Sequence, residues 1–382
     1  MKITDLKTAI IRGVGPAVLV KVYSDEGIWG IGECYPSAPG NGIQNIVRHM
    51  KELLIGEDPR NVDMLYEKIK RAFLFTGAQA GAVVTALTGI ESALWDLTAK
   101  SLGVPIYQML GGKFRDKIRI YADCHAGRDE SPEAYAEEAQ RVVAMGYNAI
   151  KFDVDDIDNP DKLDRWNWSV TPKELEGMVK RVAAVREAVG PYIDIAIDMH
   201  GRYNIDAACK VAKEMEPFNL MWLEEPVPPE NVDAMLKVKQ STSTPICAGE
   251  NLYTRFGFRE LLQKQAVDVI MPDVAHTGGL SEARKVANMA EVYYIPFAPH
   301  CVSSPIGMMA ACHVCASVPN FLVLEFHGLR SPQWNDLIVG DKPLIQNGYI
   351  TLPDKPGLGV ELNDEVARRY VHTRMSTAYF DD

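Results

Sequence analysis

Six residues of related chemistry recur at a nearly constant interval. Asp198, Glu224, Glu250, Asp273, His300 and Glu325 stand 26, 26, 23, 27 and 25 positions apart, and each ends or closely follows a short apolar run. A strand, a helix and two short loops take about 25 to 30 residues, so this is the interval of a strand–helix unit. An acid or a histidine at six successive strand ends is poor packing chemistry and good site chemistry. Asp198, Glu224 and Glu250 would converge from three adjacent strands. Three carboxylates in one place repel one another unless a cation lies between them. A donor set made of oxygens, without Cys or His, suits one Mg2+ better than zinc. A single carboxylate would more simply cap a helix or pair with Lys or Arg; three at this period favour the metal site.

Asp273 and His300 would end neighbouring strands, where the Asp fixes the imidazole tautomer and raises its basicity. His200 lies two residues after Asp198, so alternation sends it the same way. Strands three and seven lie four apart out of eight, which sets His200 and His300 face to face across a bound molecule. One removes a proton while the other protonates a leaving group. Glu325 is the corresponding acid or hydrogen-bond donor on strand eight; His327, two residues on, is expected to be structural. Lys151 and Asp153, in AIKFDV, end strand two and point inward together. A Lys beside such a site suits a substrate carboxylate or a developing oxyanion. Trp166, with Trp168, follows an Asp-rich loop and either covers a ligand or anchors that loop. Arg202 joins Lys151, Asp153 and Trp166 as an expected substrate contact. His49, His125, His276, His313 and His372 are expected to be surface or core histidines. HTGGL at 276–280 lacks the GK[ST] of a phosphate-binding loop.

These side chains need a scaffold. Apolar runs at 118–121, 149–152, 193–197, 220–223, 245–248, 267–271, 295–298 and 321–324 give eight strand candidates, most followed by helical pattern. Ser131-Pro132 and the Thr171-Pro172-Lys173-Glu174 capping box mark two helix starts, and Gly190 ends the second helix. Repeated units of this kind make a parallel sheet, either a barrel or a doubly wound layer. In a barrel all strand C-termini open on one face, where chemistry sits. The first 35 residues read differently: AVLVKVYSDEGIWGIGE is a hairpin. Leu87, Ile90, Leu94 and Leu97 then give one apolar helix face, and Gly103-Val104-Pro105 interrupts that helix.

The 382 residues carry 51 acidic and 40 basic side chains, a net charge of −11. That argues against nucleic acid, which needs a cationic face. No apolar run approaches the ~18 residues of a membrane helix. MKITDLKTAI is no signal peptide. Seven Cys, an odd count with a single CxxC in an apolar stretch, suit a reduced, cytoplasmic protein.

The stretches IDMHGRYN (197–204), MWLEEPVPPEN (221–231), PICAGENLYTR (245–255), DVIMPDVAHTGGLSEARKVANMAE (268–291), APHCVSSPIG (298–307) and LVLEFHG (322–328) resemble the enolase superfamily, mandelate racemase branch. Within it they are similar to acid-sugar dehydratases of the D-galactonate type. ALWDLTAKSLGVPIYQMLGG (93–112) resembles the end of that family's capping domain. The resemblance implies an α/β fold: a modified TIM barrel, (β/α)7β, over residues 116–330, an α+β capping domain over 1–115, and a segment 331–382 that returns to the cap. It implies Asp198, Glu224 and Glu250 as Mg2+ ligands, Asp273–His300 as the base, His200 as the acid and Glu325 as an electrophilic acid. It also implies a symmetric homo-oligomer and a small acid-sugar substrate such as galactonate or gluconate, turned into a 2-keto-3-deoxy acid. Racemases of this branch carry Lys-x-Lys on strand two. Here the second position is Asp153, which weakens the rival expectation of a racemase or epimerase. A further rival, an inactive binding or structural protein, would predict a broken site, and every position is filled.

Overall fold

The computed structural model describes every residue except 37–39, 128, 157, 163, 165, 341, 377, 378, 381 and 382. The chain opens with an antiparallel sheet, β1 (Ile3–Arg12), β2 (Pro16–Ser24) and β3 (Trp29–Cys34), paired in that order. Helices α1 (Gly40–Met50), α2 (Val62–Ala72) and α3 (Ala82–Leu102) pack on it. α3 is buried on almost every side, because this sheet covers one flank and later helices cover another. Its contact with β3 is backbone against backbone. A Cβ on Gly30 would lie 2.1 Å from the Ala93 carbonyl oxygen, and one on Gly32 would lie 2.2 Å from that of Gly89. Only glycine fits at such a distance.

After the short α4 (Ile106–Met109) the chain enters the barrel. Its strands are β4 (Lys117–Asp123), β5 (Ala149–Asp153), β6 (Asp194–Asp198), β7 (Trp222–Glu224), β8 (Ile246–Ala248), β9 (Val269–Ile270) and β10 (Leu324–Phe326). Each pairs in parallel with the next from β4 to β9, and β10 pairs in parallel with β4. The helices between them are α5 (Pro132–Ala144), α6 (Pro172–Val189), α7 (Ile205–Glu214), α8 (Val232–Gln240), α9 (Thr254–Gln263), α10 (Leu280–Glu291) and α11 (Pro305–Ala316). The helix starts follow their sequence signals. Ser131 accepts from the Ala134 amide, Thr171 and Glu174 form the reciprocal box, and Gly190 ends α6 at φ 76°.

The expected strand at 295–298 is reduced to isolated bridges from Phe297 to Ile270 and to Phe321. Pro296 lies within it and Pro299 directly after it, and a proline offers no N–H to a ladder. The barrel still closes there, since Phe297 donates to Asn320 at 2.9 Å and Ala298 to Ile270 at 2.9 Å.

The last segment adds β11 (Ile338–Val339), β12 (Tyr349–Thr351), β13 (Glu361–Leu362) and α12 (Asp364–Arg369). β12 pairs antiparallel with β4, while Val371 and Tyr379 bridge to β1. Asp364 pairs with the buried Lys21 of β2 at 3.1 Å.

Inside the barrel the side chains lie in levels. The lowest is apolar: Tyr121, Ala149, Ala196, Trp222, Cys247, Val269, Met271, Ala298 and Val323. Two residues further along each strand the inward positions are Asp123, Lys151, Asp198, Glu224, Asp273, His300 and Glu325. Two residues further again are His125, Asp153, His200 and His327.

Candidate active site

Lys151 sits at the centre of the middle level, 1% exposed. Its ammonium lies 3.0 Å from Asp198, 2.7 Å from Glu224 and 2.6 Å from Glu325. Burial disfavours its charge, but Glu224 and Glu325 outweigh that and hold the lysine firmly protonated. Asp198 and Glu224 are register partners on β6 and β7 and hydrogen-bond through their side chains. Burial and Asp198 push Glu224 well up. Lys151 and His200 overcome burial at Asp198 and hold it down. Two buried carboxyls that meet across one ammonium are oxygen-rich and short of cation, which fits the donor chemistry of Mg2+.

Glu250, two residues beyond β8, directs Oε2 to His300 Nε2 at 3.0 Å. Asp198, Glu224 and Glu250 are therefore not one compact donor group. Among the described residues, donor atoms within 4.8 Å of one another are found in three groups: His300–Glu325–His327, Asp123–His125–Asp153 and Asp153–Asp198–His200. Glu225, beside Glu224, is fully buried and accepts from the Gly249 amide at 2.8 Å. Burial and Glu250 push its carboxyl up to about 8. Its φ of 38° is strained for a non-glycine residue, as is the 47° of His200, and such strain gathers at working sites.

His300 Nδ1 lies 2.7 Å from Asp273 Oδ2, and Asp273 Oδ1 is tied to the Ala275 amide at 2.7 Å. Burial opposes the imidazolium, while Glu325 and Glu250 hold it protonated. Across the mouth, His200 Nδ1 lies 2.9 Å from Asp155 and its Nε2 3.7 Å from Asp198. Burial lowers and Asp155, Asp198 and Asp153 raise its pKa, with a net rise to about 9. Arg202 binds the other oxygen of Asp155. Trp166 is 78% exposed and lines a side pocket of about 210 Å³ with Asp155, Lys162, Arg202 and Tyr203. Trp166 and Arg202 thus stand beside the carboxylate cluster, with Asp155 as the link. A larger pocket, about 740 Å³, lies between Gln79 and Ala80 of the cap and His200, Asn251 and Tyr253 of the barrel.

Residues 134–366 match the family described as enolase C-terminal domain-like, and residues 8–111 match the mandelate racemase/muconate lactonizing enzyme N-terminal domain. The chain belongs to the enolase superfamily, mandelate racemase branch. It is 47% identical to D-xylonate dehydratase of Haloferax volcanii, over 95% of this chain and 87% of that one. It is 34% identical to D-galactonate dehydratase of Variovorax paradoxus, over 97% and 94%. A solved structure from Rubrobacter xylanophilus, a mandelate racemase/muconate lactonizing enzyme-like protein, superposes with a TM-score of 0.95 at 56% identity, covering 97% of each chain.

Family membership accounts for the cap-and-barrel architecture, and the geometry adds residues that sequence spacing missed. His327, expected to be structural, bridges Asp123 at 2.9 Å and Glu325 at 3.0 Å through its two ring nitrogens. Burial lowers its pKa, yet Asp123 and Glu325 raise it to about 10 overall. His125, set aside at first, lies 2.9 Å from Asp123 and 3.6 Å from Asp153. The signal for both was the same alternation that found His200: Asp123-x-His125 and Glu325-x-His327 are strand-end pairs. From the cap, Tyr35 brings its ring to 5.9 Å from that of His300. Glu325 itself is held ionised, since Lys151, His300 and His327 outweigh its burial. In this arrangement it accepts hydrogen bonds and does not donate them.

Proposed function

We propose that the protein dehydrates an aldonate to the 2-keto-3-deoxy acid, by loss of the C2 proton and the C3 hydroxyl. The observation that carries this is the pair of imidazoles at one mouth: His300, tied to Asp273 at 2.7 Å, and His200, tied to Asp155 at 2.9 Å. Relatives named for dehydration of D-xylonate, D-gluconate and D-galactonate support the substrate class.

Asp198 and Glu224, joined by Glu250 when it turns from His300, are the residues that would hold one Mg2+. When bound, the ion supplies positive charge against the negative charge that develops as C2 is deprotonated. Nε2 of His300, once it has passed its proton to Glu250, takes the C2 proton. Asp273 on Nδ1 keeps that ring in one tautomer and orientation. His200 gives the Nε2 proton to the C3 hydroxyl as it leaves. Lys151, relieved of Asp198 and Glu224 when the ion engages them, would hold the substrate carboxylate with its ammonium. Asp153 stands where racemases of this branch carry a second strand-two lysine as base, which favours elimination over racemisation.

The test is turnover of D-xylonate, D-gluconate and D-galactonate in Mg2+, with the keto acid read as its semicarbazone. Product from at least one acid is expected; keto acid from none would overturn the proposal. His300→Asn should lose at least about a hundredfold in rate, within the usual contribution of a general base. It should also stop deuterium exchange at C2. Full exchange in that variant would remove His300 from the base role.

A further inference from the structure

The upper level of the barrel carries more polar chemistry than the elimination uses. His327, His125, Asp153 and His200 stand on strand ends eight, one, two and three, as one continuous arc. Of these, only His200 has a part in the reaction proposed above. The other three are partly open to the mouth: the side chains of His125, Asp153 and His327 are 34%, 28% and 21% exposed. Behind them Asp123 is almost closed, at 4%. One oxygen of Asp123 holds both His125 and His327, each at 2.9 Å. Its other oxygen is buried with no hydrogen-bond partner among the described residues. Asp123 thus acts as a bracket that fixes two rings side by side.

Lys151 lies one level below this arc. On the reading given above, Lys151 takes the substrate carboxylate. A carbon chain that starts at Lys151 and passes between His300 and His200 must then rise past the arc. The groups it presents there are the hydroxyls beyond C3. A hydroxyl both donates and accepts, and the arc sets a ring nitrogen of His125 near the carboxylate of Asp153.

We propose that His125 and Asp153 form the subsite for the distal hydroxyls of the substrate, with Asp123, which His327 shares, as the positioning residue behind them. The ligand class is a linear polyhydroxy acid of five or six carbons. Selection between acids arises here because a site built to pair a hydroxyl loses affinity for a chain that lacks it.

The proposal rests on the aldonate dehydratase reading, and the experiment separates the two. Binding of D-xylonate and of D-lactate, which ends at C3 and has no distal hydroxyl, is measured calorimetrically in Mg2+ for wild type, His125→Ala and Asp123→Asn. Turnover of D-xylonate, D-gluconate and D-galactonate is measured alongside. Expected is a preference of the wild type for xylonate that falls about tenfold in His125→Ala, the worth of one good hydrogen bond. Asp123→Asn, which keeps shape and loosens the bracket, should lower the same preference and raise KM more than it lowers kcat. Equal losses for xylonate and lactate, or no loss, in folded variants of an active enzyme would overturn the subsite alone. A wild type that turns over none of the aldonates and binds neither acid would overturn the dehydratase reading, and the subsite with it.

Discussion

Lys151 shows how the site can persist without collapsing under its own charge. A buried ammonium shared by three carboxylates is costly to desolvate and worse to break, since removing one partner strands the rest. Lys151→Met is expected to destabilise the fold by about 3 kcal/mol, read from urea unfolding in EDTA. If Asp198 and Glu224 hold Mg2+, the ion at about 100 times its Kd adds roughly 2.7 kcal/mol to stability. Thermal unfolding with and without EDTA checks this, and the Asp198→Asn/Glu224→Gln double variant should erase the increment. Much of this chemistry was legible in the spacing of strand-end residues, because the period of a strand–helix unit is nearly fixed. His125 and His327 were not found that way. A histidine beside an apolar run is ordinary core material, and only the shared Asp123 contact reveals otherwise.

At the scale of elements, the cap is fastened to the barrel by two buried carboxylates inserted into foreign helix starts. Glu91 of α3 accepts from the Leu280 and Ser281 amides, both at 2.9 Å, and from Trp95 Nε1 at 2.7 Å. It thereby caps α10, whose own N-cap residue, Gly279, has no side chain to offer. A Cβ on Gly279 would meet Glu91 at 2.0 Å. Glu33 of β3 does the same for α11, accepting from the Ser304 and Gly307 amides at 2.9 and 3.0 Å. Glu91→Ala should cost about 3 kcal/mol, through orphaned donors and a cavity, measured by denaturant unfolding. Burial raises both carboxyls to about 7, against the pull of these hydrogen bonds. A folded-state value above the usual carboxyl range means the folded form holds its proton longer than the unfolded chain. That contribution is complete below about pH 4.5 and is lost as pH rises through 7. The thermal midpoint should therefore fall from pH 5 to pH 8, and fall less in Glu91→Gln. Helix starts such as Thr171 were legible because cap and helix are neighbours in sequence. The caps supplied by Glu33 and Glu91 come from about 270 and 190 residues away, beyond any local signal. The missing ladder at 295–298 was overlooked because its apolar run outweighed Pro296 and Pro299.

Across the whole molecule, the chain ends where it began. Lys21, 6% exposed, lies between Asp364 and the rings of Trp29 and Phe380, at 4.5 and 4.3 Å. Truncation after Asn363 removes the Asp364 partner and the Phe380 cover of that ammonium, together with the bridges of Val371 and Tyr379 to β1. The expected outcome is a lower thermal midpoint and early proteolysis within the first 110 residues. Lys21→Met in the truncated chain should recover part of the loss.

The two helices that the cap grips, α10 and α11, directly follow Asp273 and His300 in the chain. The roof and the Asp273–His300 pair are consequently tied through the same two helices into one flank. The cleft between Gln79 of the roof and Trp168 and Pro228 of the barrel is then the opening left beside that flank.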